Sequence, residues 1–115
     1  MIQLRTGLAA SALVLLGCAS RLGSAMDAFE AGRLPEAAAE FRSLEPQFPR
    51  LGERDQARYA LFFGLTELAL GDLDGAERWL LPLKVAVEHD PLRLSDAERG
   101  ALFAALRSTG RMPGE

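Results

Sequence analysis

Two stretches of the sequence decide the fold: Ala31-Gly32-Arg33-Leu34-Pro35-Glu36-Ala37 and, 39 residues later (71 − 32), Leu70-Gly71-Asp72-Leu73-Asp74-Gly75-Ala76. Both place a glycine, a leucine and an alanine at matching positions. Glycine just past the end of a helix lets the chain reverse, because it adopts positive φ without strain. The repeated stretch therefore predicts two turns, each joining a pair of antiparallel helices.

Apolar residues on both sides of these turns recur at spacings of three and four, the period of an amphipathic helix. The four predicted stripes are Leu22, Ala25, Met26 and Phe29; Leu34, Ala37, Ala38, Phe41 and Leu44; Leu61, Gly64, Leu65 and Leu68; and Leu73, Ala76, Leu80 and Leu83. Pro82 predicts that the fourth helix is kinked or ends just before it. A fifth helix begins at Ser95, where Glu98 completes a capping box, and it closes the stack. The sequence thus predicts an all-α domain over 24–108 and a flexible tail over 109–115.

The order of small and bulky residues resembles that of tetratricopeptide repeats. Members of that family have a small residue in the first helix of a repeat, glycine between the helices, then alanine and a bulky apolar residue in the second helix. The matching residues are Ala25, Gly32, Ala37 and Phe41, closed by Pro49, in the first unit, and Gly64, Gly71, Ala76 and Leu80 in the second. The resemblance implies two repeats of antiparallel helix pairs, followed by a C-terminal capping helix.

In that family the first helix of each pair lines an inner, concave surface. By this resemblance the candidate partner-binding residues are Arg58, Leu61, Phe62 and Leu65, near Leu22, Met26 and Phe29 of the first unit, and we add Trp79 of the outer helix. Phe62 and Phe63 point about 100° apart on a helix, so one of them is a candidate contact for a partner. Alternatively, the apolar inner face is core that the Ser95 helix covers. The sequence leaves both readings open.

The N-terminal residues have the order of a secretory signal. Arg5 precedes a run over residues 8–16 that is apolar except for Ser11, and small residues follow. This run is shorter than the roughly 20 residues of a membrane-spanning helix. A permanent transmembrane helix is therefore not expected.

The residues Leu15-Leu16-Gly17-Cys18 resemble the lipobox of bacterial lipoproteins, whose signal is removed before a cysteine that becomes lipid-modified. The resemblance implies a signal peptide over 1–17 and a lipidated Cys18 with a short tether over 18–23. In bacterial lipoproteins an aspartate just after the cysteine often signals retention in the inner membrane. Ala19 and Ser20 stand there in this chain, so the resemblance implies the outer membrane and a domain facing the periplasm. The alternative is an unmodified, buried cysteine.

Charge and residue content exclude several classes of site. Residues 1–17 contain one of the 13 basic residues and none of the 16 acidic ones, so the rest of the chain has a net charge of 12 − 16 = −4. A nucleic-acid partner is not expected, because it requires a basic patch. Cys18 is the only cysteine and His89 the only histidine, so neither an intramolecular disulfide nor a zinc site of the usual ligands is expected. No metal and no cofactor is predicted.

The acidic residues give no predicted catalytic pair. Glu36, Glu40, Glu67 and Glu77 are spread along helices, and we expect them on a solvated face. The acids that follow Gly71 resemble the start of a calcium loop, but the helical pattern resumes too early for one, so they are predicted to lie at a helix N-terminus. His89 is predicted to lie at a helix C-terminus, where the positive charge of a protonated histidine interacts favourably with the helix dipole.

These patterns predict a membrane-anchored scaffold that binds envelope protein subunits and assists the assembly or stability of a secretion, pilus or other trans-envelope complex. Helix-pair repeats generally need about three units for stability, so a partner, or a second copy of the chain, would supply the missing burial. The alternative is a small enzyme or enzyme activator acting on peptidoglycan. It would need paired acids in a polar pocket, and Glu67, Glu77 and His89 are the residues that would test it.

Overall fold

The computed structural model describes residues 20–110, which are helical nearly throughout. The α-helices are α1 (residues 20–30), α2 (Leu34–Leu44), α3 (Glu53–Ala69), α4 (Leu73–His89) and α5 (Asp96–Ser108), with short 3-10 helices at Glu45–Arg50 and Pro91–Arg93. No strand occurs in this range. The predicted all-α fold is confirmed. The predicted signal peptide, Cys18 and residues 111–115 of the tail lie outside the described residues.

The two predicted turns share one backbone geometry. Gly32 and Gly71 have φ angles of 79° and 86°. In each turn the glycine N–H donates to the carbonyl three residues before it, and the next N–H donates to the carbonyl five residues before it. This pair of bonds is the Schellman motif, which satisfies carbonyls at a helix end. The sequence repeat is therefore also a repeat of the structure that ends α1 and α3.

Two hydrophobic clusters form the core, and α3 contributes to both. The first cluster joins α1, α2 and one face of α3, and the second joins another face of α3 to α4 and α5. Phe62 and Trp79 pack against both clusters. Burial of each large side chain stabilises the fold by about 1.5–3 kcal/mol. The two helix pairs are thus held together through α3.

Helix α1 includes residues that the sequence analysis assigned to the tether. Residues 20–23 are helical, and Leu22 is only 3% exposed. The reason is that Leu22 continues the apolar stripe of α1 into the first cluster. Residues 20–23, which the sequence analysis assigned to the tether, are therefore continuous with helix α1.

The sequence predicted that the fourth helix is kinked at Pro82 or ends just before it. Helix α4 continues through Pro82 to His89, so the second of these alternatives is wrong. Proline removes one backbone N–H, and the carbonyl of Arg78 loses its usual helical donor. Leu83 and Val87, beyond the proline, are buried in the second cluster. Their burial offsets the missing hydrogen bond and keeps the helix intact.

Helix α5 begins with the predicted capping box. The Glu98 N–H donates to Ser95 Oγ at 3.1 Å, and the Ser95 N–H donates to Glu98 Oε1 at 2.8 Å. Leu102, Ala105 and Leu106 then pack into the second cluster. The last helix closes the apolar face of α3 and α4, as the sequence predicted.

Candidate functional site

A groove lies between α1 and the first turns of α3, and we call it the inner groove. Its lining residues are Leu22, Gly23, Met26, Asp27 and Glu30 of α1 and Asp55 and Arg58 of α3. The cleft has a volume of about 310 Å³. Leu22 and Met26 are buried at its floor, and a Cβ built on Gly23 meets no atom within 4 Å. The groove therefore combines an apolar floor with open space above Gly23.

Three carboxylates line the inner groove, and no described residue pairs with them as a cation. Asp27 and Glu30 are exposed and Asp55 is half-buried, and none of them forms an ion pair with another described residue. Arg58, the cation of the lining, is engaged by Glu98 of α5, with Nε 3.4 Å from Oε2. The potential of the groove is therefore negative, which is complementary to a basic ligand.

The structure separates the predicted partner-binding residues on α3. Arg58 lines the inner groove. Leu61 is fully buried at 0% exposure, so this structure places it in the core and leaves it no surface for a partner. Phe62 and Leu65 are half-buried against the second cluster, and the Phe62 ring meets Phe29 edge to face at 5.7 Å.

Trp79 lies apart from the inner groove. Its ring packs 5.1 Å from Tyr59, 5.5 Å from Phe48 and 5.5 Å from Phe63, measured between ring centroids. Trp79 also lines a second, largely apolar cleft of about 260 Å³ between α3 and α4. Phe63 is buried in this aromatic cluster, so both members of the Phe62–Phe63 pair already have intramolecular partners.

Glu67 is buried, and the expectation of a solvated face is wrong for this residue. It is 5% exposed, and its Oε1 lies 3.4 Å from Nη2 of Arg42 on α2. Burial and a hydrogen bond with Asp72 raise the pKa of Glu67. The backbone N–H of Gly75, which donates to Asp72 Oδ1 at 2.9 Å, lowers the pKa of Asp72. This carboxyl pair connects α2, α3 and the N-terminus of α4.

Gly75 makes room for the carboxyl pair. A Cβ at this position would lie 2.6 Å from Oδ2 of Asp72 and 3.1 Å from Oε2 of Glu67. Asp72 is also the N-cap of α4, which agrees with the prediction that these acids lie at a helix start. The two carboxyls touch each other, whereas glycosidases hold theirs about 5–9.5 Å apart.

The residues named for the enzymatic alternative do not meet in one site. Glu77 and His89 are twelve positions apart on α4, which corresponds to about 18 Å along the helix axis. Glu67 is buried on α3 beside Asp72, and His89 is exposed at the far end of α4. No polar pocket therefore brings these three side chains together.

Sequence reasoning missed the acidic lining of the inner groove. Asp27 and Glu30 on α1, and Asp55 and Arg58 on α3, are each separated by three residues, a spacing that places a pair on one helix face. This spacing is visible in the sequence, but the approach of the two helix faces is not. The groove appears only when α1 packs beside α3.

Comparison of the chain with family models, curated proteins and solved structures finds no match. Within residues 20–110 no helix is long and apolar enough to cross a bilayer. In the same range no three His, Cys, Asp or Glu side chains are grouped as metal ligands would be. Function is therefore inferred from the geometry and charge of the inner groove.

Proposed function

We propose that this chain is a bacterial lipoprotein whose helical domain binds a segment of another envelope protein in the inner groove. Cys18 would carry the lipid and hold the domain on the outer membrane, facing the periplasm. The chain would act as a scaffold that assists the assembly or stability of an envelope complex, without catalysing a reaction. The observation that carries this proposal is the set of three unpaired carboxylates around an apolar floor.

The groove favours a partner segment that has an apolar residue flanked by basic ones. An apolar side chain that reaches Leu22 and Met26 gains about 25 cal/mol for each Å² it buries. Ion pairs with the rim are worth only about 0.2–1 kcal/mol each, because the carboxylates are solvated. Leu22 and Met26 are only 3% and 9% exposed, so the apolar contact and the ion pairs would both contribute to the affinity. The carboxylates would also speed encounter and exclude acidic segments.

The small size of the domain supports a role in association. Two helix pairs and a closing helix fall short of the roughly three units that helix repeats generally need. The described residues include large apolar side chains that remain exposed, among them Leu73 and Val85. A partner that covers further surface would stabilise the domain as well as be bound by it.

Site-specific photocrosslinking in intact cells tests the groove. Gly23 is suited to a photoreactive amino acid, because a side chain there points into open space in the groove. Gly100 on α5 also has no atom within 4 Å of a built Cβ, but it does not line the groove, so it is the matched control. We expect a covalent partner from position 23 and none from position 100. The crosslinked peptide, identified by mass spectrometry, should be basic.

Charge reversal separates specific binding from proximity. The double substitution Asp27→Lys and Glu30→Lys should lower recovery of the crosslinked partner about tenfold, which corresponds to about 1.4 kcal/mol. Glu36→Lys changes an exposed charge on α2 outside the groove and should leave recovery unchanged. Recovery that is insensitive to the double substitution, or an acidic crosslinked peptide, would refute the proposed recognition.

The anchor is tested independently of the groove. Cys18→Ser should abolish incorporation of radiolabelled fatty acid and release the chain from the membrane fraction. Retention of label or of membrane association in that variant would contradict lipidation at Cys18. Fractionation of inner and outer membranes then tests the proposed location.

A further inference from the structure

Five helix ends meet at one end of the domain, which we call the proximal end. Arg21, near the start of α1, donates to Ser43 Oγ at the end of α2 at 2.6 Å. Arg58 in the first turns of α3 pairs with Glu98 in the first turn of α5. Glu53, the first residue of α3, lies 3.7 Å from Arg93, which follows the end of α4. The turns at Gly32 and Gly71 therefore lie at the opposite end.

The predicted lipid attachment point is close to the proximal end in the sequence. Cys18 precedes the first described residue of α1 by two positions. An extended chain spans at most about 3.3–3.6 Å per residue, so the Cα atoms of Cys18 and Ser20 are no more than about 7 Å apart. A lipid on Cys18 would hold the start of α1, and with it the proximal end, against the bilayer surface.

Among residues 20–110, the most exposed large apolar side chain lies at this end. Leu92 is 79% exposed and belongs to the 3-10 helix Pro91–Arg93, which connects α4 to α5. Its N–H donates to Asp90 Oδ1 at 3.1 Å, and the nearby Leu94 is fully buried. The connection is therefore fixed on both sides of Leu92, and the side chain is held outward. Single exposed leucines are common, but this one lies at the end that the tether brings to the membrane.

Charges at the proximal end are compatible with a lipid surface. Arg21, Arg50 and Arg54 are exposed and form no ion pair with another described residue. Arginine binds phosphate groups through two parallel hydrogen bonds. Glu45 and Asp55 are also unpaired there, so the end is close to neutral. Because the anchor makes the contact intramolecular, a weak surface affinity is sufficient.

We infer that the proximal end lies on the membrane, with Leu92 inserted among the phospholipid headgroups. This inference rests on the proposed lipid anchor at Cys18 and adds an orientation and a contact residue to it. Helix α4 has 17 residues, a length of about 25 Å. Leu73, at its first residue, is therefore held away from the headgroup layer.

Depth-dependent fluorescence tests the orientation with the full lipidated chain. Cys18 is the only cysteine and its sulfur is blocked by the lipid, so Leu92→Cys and Leu73→Cys each create one reactive thiol. Both leucines are exposed in the structure, at 79% and 48%, so both substitutions should fold, which circular dichroism checks. Each variant is labelled with an environment-sensitive fluorophore and reconstituted in vesicles of phosphatidylethanolamine and phosphatidylglycerol that carry a headgroup nitroxide.

We expect the label at position 92 to lose most of its fluorescence to the nitroxide and the label at position 73 to keep it. Val85→Cys, one turn before the end of α4, should give an intermediate loss. Equal quenching at 92 and 73, or none at either in chain that floats with the vesicles, would overturn the inference and leave the anchor standing. Chain that does not float would refute the anchor, and the inference with it.

Discussion

Helix α3 packs tightly against α4 at Gly64, and this packing decides whether Gly64→Ala raises or lowers the free energy of unfolding. A Cβ at this position would lie 2.5 Å from Cδ2 and 2.6 Å from Cγ of Leu80, well inside the usual carbon–carbon contact distance of about 3.5–4.0 Å. Leu80 is fully buried in the second cluster, so it has no open space to enter. Gly64→Ala therefore forces Leu80 or the helix backbone to shift by about 1 Å.

Two effects of Gly64→Ala compete. Replacing glycine by alanine in a helix gains about 0.8–1 kcal/mol of helix propensity, whereas overpacking a core costs about 1–3 kcal/mol. Because the overlap involves Cγ as well as a terminal methyl, we place the cost in the upper half of that range. The expected net loss in free energy of unfolding is about 1–2 kcal/mol. In a domain of this size each kcal/mol lowers the melting temperature by roughly 4–8 °C.

Gly100→Ala is the matched control, since Gly100 lies inside α5 with no atom within 4 Å of a built Cβ. Gly100→Ala should raise the free energy of unfolding by about 0.5–1 kcal/mol, whereas Gly64→Ala should lower it. Urea unfolding followed by circular dichroism measures both. In a Leu80→Ala background the cost of Gly64→Ala should disappear, because the clash has been removed. A neutral or stabilising Gly64→Ala, or an undiminished cost in that background, would refute the close packing.

Three further substitutions test single contacts by the same unfolding measurements. Glu67→Gln should flatten the pH dependence of the free energy of unfolding. Because its pKa is raised, Glu67 holds its proton more tightly in the native state than in the unfolded chain. Its contribution to stability is therefore full below pH 4.5, its ordinary pKa, and is lost as pH rises through the pKa of the folded state. Asp72, whose pKa is lowered from 3.8, acts in the opposite sense at lower pH, so a wild-type slope above pH 4.5 that persists in Glu67→Gln would contradict this assignment. Tyr59→Phe should lower the free energy of unfolding by about 1–2 kcal/mol, because the Tyr59 hydroxyl donates at 2.6 Å to the carbonyl of Phe41 in the last turn of α2. An unchanged urea midpoint would mean that water replaces this bond. Ser95→Ala should cost about 1 kcal/mol through loss of the α5 cap, and a loss below about 0.5 kcal/mol would indicate that the capping box contributes little.

The sequence was sufficient for the helix pairs because their ends are encoded locally. Gly32 and Gly71 adopt positive φ and end α1 and α3 within the motif itself. Ser95 and Glu98 satisfy each other's backbone groups across three residues. Such signals do not depend on which other helix lies nearby, so a single sequence is enough to read them.

The features that the sequence did not predict all depend on packing between helices. Glu67 is polar, and only the approach of Arg42 and Asp72 accounts for its burial. Pro82 is tolerated because Leu83 and Val87, beyond it, are buried. The acidic groove needs α1 and α3 side by side. Periodicity identifies which face of a helix is apolar, but it does not identify the residues that the face will meet.

The anchor and the groove are related through the direction of the helices. Leu22 and Gly23 lie in the first described turns of α1, and Asp55 and Arg58 lie in the first turns of α3, so this part of the inner groove opens at the proximal end. If Cys18 carries the lipid, a bound segment would lie within a few helical turns of the bilayer. Such a site would be reached most readily by a segment that is itself next to the membrane. The short tether would then contribute to partner selection by limiting which segments can reach the carboxylates.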